Sequence, residues 1–166
     1  MSRILALAAC AVITASLAAA ATGQPPLERF TISVLVRVME GYVLCDYNVT
    51  VPNPGEFTCP FPYASSVIYV GGRSGCKATL EGGTIRIEAW ERSASFVIAL
   101  HPPMEVKRRE LLMRVPVLLS FREGRSEARV TIKLGTTEFT ASAEYPMLVR
   151  GSTATMNITD VSPGSV

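Results

Sequence analysis

The fold class is decided by residues 29–39, which read RFTISVLVRVM. Apolar side chains recur there at every second position: Phe30, Ile32, Val34, Val36 and Val38. Thr31, Ser33 and Arg37 lie between them. Successive side chains of a β-strand point to opposite faces, so a period of two is typical of a strand with one face in a core and the other in water. We therefore predict a half-buried strand in this segment.

The same pattern returns along the chain and predicts an all-β fold. Residues 42–51 alternate with Cys45 on the inner face, and four later segments alternate likewise: 84–89, 111–121, 128–134 and 154–158. Residues 94–100 form a continuous apolar run, as expected for a strand covered on both faces. Stretches rich in Pro and Gly, such as 52–62, separate these segments. About eight to ten short strands predict an antiparallel β-sandwich with immunoglobulin-like packing, with an up-and-down barrel as the alternative.

The first residues predict an export leader. Arg3 precedes an uncharged apolar run over residues 4–21, which ends in alanines before Thr22 and Gly23. A charged start, an apolar centre and a small-residue exit form the layout of a secretory signal peptide. We predict a signal peptide over residues 1–21 and a single secreted or cell-surface domain over residues 22–166, without a membrane span in the mature chain. A retained anchor and lipid attachment at Cys10 are the alternatives.

The charged residues argue against several function classes. The formal net charge is +2, and loss of Arg3 with the leader leaves +1, so the mature chain lacks the basic surface that nucleic acids require. Zinc sites need His and Cys at short paired spacings, and calcium sites need Asp-rich loops. The chain has one histidine, His101, and two aspartates, Asp46 and Asp160. We therefore predict no metal, no cofactor and no catalytic residues, that is, a protein that is not an enzyme.

Residues 87–92, which read IEAWER, form the segment most like part of an enzyme. Glu88 and Glu91 could act as the paired carboxylates of a glycoside hydrolase, with Trp90 predicted on the same strand face as Glu88. We favour the simpler interpretation of a surface mixture of Glu and Arg. Trp90 remains a candidate ligand contact, together with Tyr63, because an exposed aromatic ring can stack on a sugar.

An odd number of cysteines follows the leader. The strand pattern places Cys45 on the core face, where a thiol can remain as a small buried hydrophobic group. Cys59 and Cys76 fall in segments that the sequence marks as a loop and a turn. Exported proteins form disulfides in such segments, so we predict a bond between Cys59 and Cys76. A disulfide to a second molecule is the alternative that an odd cysteine allows.

Two N-glycosylation acceptor sequences occur, NVT at Asn48 and NIT at Asn157. The strand pattern places both asparagines on polar faces, so both are candidates for glycosylation.

Missing catalytic groups, predicted export and the all-β pattern together favour a non-enzymatic structural or adhesive protein of the cell surface. In one version it is a filament or surface-layer subunit, in which residues 29–39 or 154–159 pair with the sheet edge of a neighbouring molecule. Its partner would then be a protein, including a second copy of itself. The alternative hypothesis is a secreted module that binds a carbohydrate or another protein.

Overall fold

The computed structural model describes residues 28–39, 41–101, 104–107, 110–113, 119–133 and 145–161. The predicted leader over residues 1–21 lies outside these ranges. The described part is all-β, with one short 3-10 turn over Ala64–Ser66. Its strands are β1 Glu28–Met39, β2 Tyr42–Thr50, β3 Gly55–Pro60, β4 Val67–Ser74, β5 Cys76–Glu81, β6 Thr84–Ala89, β7 Ser93–Leu100, β8 Met104–Lys107, β9 Glu110–Met113, β10 Gly124–Lys133, β11 Met147–Arg150 and β12 Thr153–Val161.

Two sheets account for most of the strands. The larger sheet has seven strands in the order β11-β12-β10-β1-β2-β7-β4, and the smaller has three in the order β3-β6-β5. Strands β8 and β9 pair with each other as a separate hairpin. The prediction of an all-β chain is confirmed, and the two sheets are consistent with a β-sandwich.

Strand β1, the segment with the clearest period of two, lies in the middle of the seven-stranded sheet. It pairs with β2 in antiparallel fashion and with β10 in parallel fashion, while the other described ladders are antiparallel. The purely antiparallel fold predicted from the sequence therefore has one exception. Gly124 begins β10 where a side chain would collide with the carbonyl of Glu28 and the ring of Phe30. A glycine at this position lets the parallel pair approach closely.

The core lies between the two sheets and is rich in stacked rings. The ring of Phe30 on β1 stacks on Phe121 with centroids 4.5 Å apart and meets Phe57 of β3 edge-on at 5.1 Å. Tyr47 of β2 stacks on Phe96 of β7 at 4.8 Å. All five rings are buried, so Phe30 and Phe57 join one sheet directly to the other.

The apolar run at the end of β7 is covered on both faces, as predicted: residues 96–100 are all buried. The neighbouring strand β4 continues into β5 through Gly75, which has a left-handed φ of 67°. The carbonyl of Gly75 accepts hydrogen bonds from the backbone N–H groups of Trp90, at 3.0 Å, and Glu91, at 3.3 Å. This corner links the large sheet to the small one.

Candidate functional site

The solvent-facing side of the seven-stranded sheet, which we call the outer face, carries an exposed apolar cluster at one corner. This apolar corner comprises Met39, Tyr42, Leu44 and Tyr69. Met39 lies directly opposite Tyr42, while Leu44 and Tyr69 lie on either side of Ala99. Met39, Tyr42 and Tyr69 are exposed, and Leu44 is half-buried. Contiguous exposed apolar side chains of this kind mark binding surfaces in soluble proteins.

An ion cluster adjoins the apolar corner. Asp46 is paired with Arg37 and also with Arg73, whose Nη1 lies 2.7 Å from Asp46 Oδ1. The carboxylate side chain is 14% exposed, and the two guanidinium groups more than neutralise its charge. Both oxygens of Asp46 are committed to arginines, so this residue is poorly placed to act as a general base. The cluster instead places two arginines beside the apolar corner, with Arg37 directly opposite Leu44.

Strand β11 forms one edge of the seven-stranded sheet. It pairs with β12 from Met147 opposite Met156 to Arg150 opposite Thr153, without a bulge. Leu148 lies on the outer face beside Thr155, whereas Val149 points to the opposite face beside Ala154. These two side chains are 56% and 41% exposed. No described residue pairs with the other side of β11, so this edge presents apolar groups on both faces.

Two other edge strands, β3 and β4, have features that oppose pairing with a further strand. Along β3, the side chain of Glu123 accepts hydrogen bonds from the backbone N–H of Thr58 at 3.0 Å and from its hydroxyl at 2.9 Å. The backbone N–H of Arg122 also donates to the Thr58 carbonyl at 3.1 Å. Along β4, the ladder with β7 is irregular at two points. Strand β5 leaves the corner at Gly75 and packs beside β4.

Strands β1 and β12, which contain the two segments predicted to pair with a neighbouring molecule, both lie inside the seven-stranded sheet. Strand β1 is hydrogen-bonded to β10 and β2, and β12 is hydrogen-bonded to β10 and β11. Neither segment can add as a strand to the sheet of another molecule without leaving its own sheet. Local alternation identified both as strands but contained no information about their order, because strand order depends on contacts between distant segments.

The three cysteines are free and buried, and the predicted Cys59–Cys76 bond is absent from the structure. Residues 55–60 form edge strand β3, although the prolines of residues 52–62 had suggested a loop. Only Pro60 lies within the strand, and proline is tolerated at sheet edges. Cys59 lies opposite Ile85 on β6, whereas Cys76 lies opposite Ala89 on the far side of the same strand. Strands β3 and β5 lie two strand spacings apart, on either side of β6, and Ile85 and Ala89 lie four residues apart along β6. The Cα atoms of the two cysteines are therefore about 16 Å apart. A disulfide requires a Cα separation below about 7 Å.

Burial makes these thiols poor nucleophiles. It raises the pKa of Cys45 to about 12, with the charge of Asp46 adding to the effect. Burial likewise raises the pKa of Cys59 to about 12 and raises the pKa of Cys76. Because the thiolate is the reactive form, a raised pKa suppresses reactivity at neutral pH. Cys45 is in the core, beside the buried Tyr47, as the alternation of β2 predicted.

Trp90 and Tyr63, the two candidate aromatic contacts, do not form a common platform. Trp90 is 60% exposed in the bend after β6, whereas Tyr63 is half-buried against the core. Tyr63 lies near the start of β6, where Phe61 N–H donates to the Gly83 carbonyl at 2.9 Å. The length of β6 separates the two rings by roughly 20 Å.

The carboxylates of residues 87–92 also differ from an enzyme's acid pair. Strand β6 ends at Ala89, so Trp90 does not share its strand face with Glu88. Arg86 lies among three carboxylates. Its Nη2 lies 2.6 Å from Oε2 of Glu56, its Nη1 lies 3.7 Å from Oε2 of Glu81, and its Nε lies 3.8 Å from Oε1 of Glu88. These carboxylates, Glu56 above all, raise the pKa of Arg86. Glu88 therefore belongs to a surface mixture of Glu and Arg, which is the interpretation that the sequence favoured.

His101 has a structural role at the apolar corner. Its ring Nδ1 lies 2.6 Å from the carbonyl of Gly41, so this nitrogen carries the proton and donates it. Its backbone N–H donates to the Ser66 carbonyl at 2.8 Å. The side chain thereby holds the turn between β1 and β2 against the end of β7. A catalytic histidine needs a carboxylate to orient its ring, but both aspartates of the chain are paired with arginines. Asp46 is paired with Arg37 and Arg73, and Asp160 is paired with Arg125.

A shallow cavity of about 160 Å³ lies away from the apolar corner, where a bulge interrupts the pairing of β10 with β12. Six residues line it: Arg29, Arg125, Ser126, Glu127, Thr159 and Asp160. Its charges are paired, with Arg29 3.1 Å from Glu127 and Arg125 3.2 Å from both oxygens of Asp160. Because these charges already neutralise one another, the cavity is poorly suited to binding a charged substrate.

Metal and membrane features are also lacking in the described ranges. These ranges contain no group of three His, Cys, Asp or Glu side chains that could hold a metal ion. They likewise contain no helix with the length and hydropathy that a membrane crossing requires.

Comparison with known proteins finds no matching family and no matching curated protein. Among solved structures, the chain is similar to an M1 zinc metallopeptidase variant from Deinococcus radiodurans bound to a Tyr-Ser-Ala substrate, with a TM-score of 0.38 and 9% identity. A two-domain M1 zinc metallopeptidase variant bound to L-tryptophan gives a TM-score of 0.38 and 10% identity. Each alignment covers 80% of this chain but only 38% of the other. Likeness at this level does not bear on activity.

Proposed function

We propose that this protein is a non-enzymatic structural or adhesive protein of the cell surface, which assembles by adding a strand at the β11 edge. One observation carries the proposal: β11 is an unbulged edge strand with exposed apolar side chains on both faces, Leu148 on one and Val149 on the other. Natural sheets usually protect such edges with charges, bulges or covering loops. An edge left in this state is suited to pairing with another strand.

The simplest partner is β11 of a second copy, aligned antiparallel. Such a pair would bring Leu148 of one molecule beside Leu148 of the other on the outer face, with Val149 beside Met147 on the opposite face, and would continue the seven-stranded sheet into its neighbour. Burial of an exposed Leu or Val side chain contributes about 1.5 to 3 kcal/mol when it is complete. Backbone hydrogen bonds along the new ladder would fix the direction and register of the added strand.

The proposal also contains two elements predicted from the sequence alone. Residues 1–21 would direct export, and the two sheets would pack in an immunoglobulin-like manner. Structural and adhesive proteins outside the cell commonly use such sandwiches, because rigid sheets present loops and edges to partners. The buried Phe30 and Phe57 contact between the sheets supports a rigid body of this kind.

Charge on β11 provides a direct test of the edge. We expect the double substitution L148K/V149K to abolish assembly of the purified mature chain, because lysines on an edge strand oppose pairing with a further strand. The free energy of unfolding of the monomer should change by less than about 1 kcal/mol, since both side chains are already exposed. Sedimentation velocity over a wide concentration range measures the assembly, and chemical denaturation measures the stability.

A matched control exists on the opposite edge of the same sheet. Ile68 and Tyr69 of β4 are 51% and 56% exposed, close to the values for Leu148 and Val149. The double variant I68K/Y69K changes charge by the same amount and should leave assembly intact. If I68K/Y69K prevents assembly and L148K/V149K does not, the β11 edge is not the contact.

That reversed result would favour the second candidate function, a protein-binding module. The observation in its favour is the apolar corner, where exposed Tyr and Met side chains lie beside Arg37 and Arg73. Aromatic residues, Met and Arg are the types enriched at the centres of protein interfaces. Such a module would bind a partner protein at this corner and would not require the β11 edge.

A further inference from the structure

The two acceptor asparagines lie in a single row across the outer face. Asn157 of β12 is opposite Arg129, Arg129 is opposite Ser33, and Ser33 is opposite Asn48 of β2. Both asparagines are exposed. Three strand spacings separate them, which corresponds to about 14 Å. Sequence spacing does not predict this arrangement, since 108 residues lie between the two acceptors in the chain.

The rest of each acceptor sequence is also accessible. The hydroxyl-bearing residues two positions on, Thr50 and Thr159, are both exposed. Asn53, the remaining asparagine of the chain, precedes Pro54 and is not part of an acceptor sequence. Both asparagines that could be modified therefore lie on one face, and neither contributes to the core.

Many neighbours of the two asparagines on the outer face are short, although Arg129 lies in the row between them. The outer-face neighbours of the two asparagines on β1, β2 and β12 are mainly small hydroxyl residues: Thr31, Ser33, Thr50 and Thr155. The large exposed apolar groups lie elsewhere, at the apolar corner and on β11. The outer face is thus divided into a region of polar residues around the two asparagines and a region with exposed apolar groups.

We propose that Asn48 and Asn157 are both N-glycosylated and that their glycans cover the polar half of the outer face. In this reaction the Asn side-chain nitrogen bonds to C1 of the first sugar of a lipid-phosphate-linked glycan. The bond from C1 to the phosphate oxygen breaks, the lipid phosphate leaves with the bonding electrons, and an amide proton is lost to a base. No oxidation or reduction takes place. Two glycans about 14 Å apart would exclude protein partners from this half of the face.

The intact mass of the chain isolated from its native source tests the proposal. We expect two glycan masses above the polypeptide, with glycopeptides containing Asn48 and Asn157. In the same source, N48Q and N157Q should each remove one glycan, the double variant should remove both, and N53Q should remove none. All variants should show the same unfolding midpoint after deglycosylation, because the acceptor side chains point into solvent.

A bare polypeptide mass would overturn the proposal, as would modification of only one asparagine. Persistence of the excess mass in the double variant would also overturn it, because the added mass would then lie elsewhere. The proposal is independent of assembly at β11: loss of glycans without loss of assembly, or the reverse, separates the two.

Discussion

The substitution F30A is expected to lower the free energy of unfolding by about 3 to 5 kcal/mol, the range for truncating a fully buried phenylalanine. Phe30 is completely buried on the central strand, and its ring contacts Phe121 and Phe57. Its removal would open a cavity where β1, β3 and the segment before β10 meet. A domain of this size has a total stability of about 5 to 15 kcal/mol, so this one change would remove a large share.

Thr31 provides the control for this prediction. It is the next residue of β1 but points to the outer face, where it is exposed. We expect T31A to change stability by no more than about 0.5 kcal/mol. Urea denaturation of the two variants and the unaltered chain would compare them under one condition. A loss below about 1 kcal/mol for F30A would contradict the placement of Phe30 at the junction of the two sheets.

Alkaline pH is expected to destabilise the fold through its buried thiols. The pKa of Cys45 and that of Cys59 are raised by burial to about 12, whereas an unfolded thiol has a pKa near 8.5. The folded chain therefore keeps protons that the unfolded chain loses as pH rises from about 9 to 12. The unfolded state then binds fewer protons, so the stability that is fully present below about pH 8.5 is lost across this interval.

The size of this effect follows from the number of groups involved. Each thiol contributes a slope of about 1.4 kcal/mol per pH unit, so the two together give up to about 3 kcal/mol per unit. Burial also raises the pKa of Tyr47, which steepens the fall above about pH 10. Denaturation curves at successive pH values, with reductant present, measure the slope.

The double variant C45A/C59A provides the comparison. It should be less stable at neutral pH, because two buried side chains are shortened, yet its stability should fall less steeply between pH 9 and 12. The same slope in the variant and the parent chain would show that these thiols are not the groups whose burial makes the fold sensitive to alkali.

Local alternation predicted much of the fold because burial of one sheet face imposes a period of two. Strand β1 shows this most clearly: Phe30, Ile32, Val34 and Val36 are buried, and the alternate residues Thr31 and Ser33 are exposed. The apolar end of β7 was correctly predicted to be covered on both sides. The inner position of Cys45 followed from the same rule. Each of these predictions depends only on near neighbours in sequence.

The errors arose where structure depends on distant contacts. The parallel pairing of β1 with β10 joins residues about a hundred positions apart, and no local pattern specifies it. Strand β3 was interpreted as a loop because prolines are unfavourable in central strands, although its edge position accommodates them. That error placed Cys59 in a loop and led to the predicted disulfide. Whether a strand lies at the edge or in the centre depends on the order of all the strands in the sheet, which its own sequence does not specify.

Most of the candidate site could not be predicted from the sequence, because it too depends on contacts between distant segments. Residues 147–150 form only a short apolar stretch in the sequence, and their importance follows from the position of β11 at an edge. The apolar corner combines β1, β2 and β4, whose outer-face residues come together only through their pairing with one another and with β7. By contrast, the two acceptor sequences could be identified directly, but their common row could not.

Amide hydrogen exchange of β11 tests assembly through this edge most directly. The mature chain would be compared below and above the concentration at which it assembles, with exchange followed for Met147–Arg150 and for the strands of the apolar corner. We expect the amides of β11 to exchange more slowly in the assembled form, while those of β4 keep their rates. Unchanged exchange at β11 on assembly, or a chain that stays monomeric at every concentration, would contradict assembly through this edge.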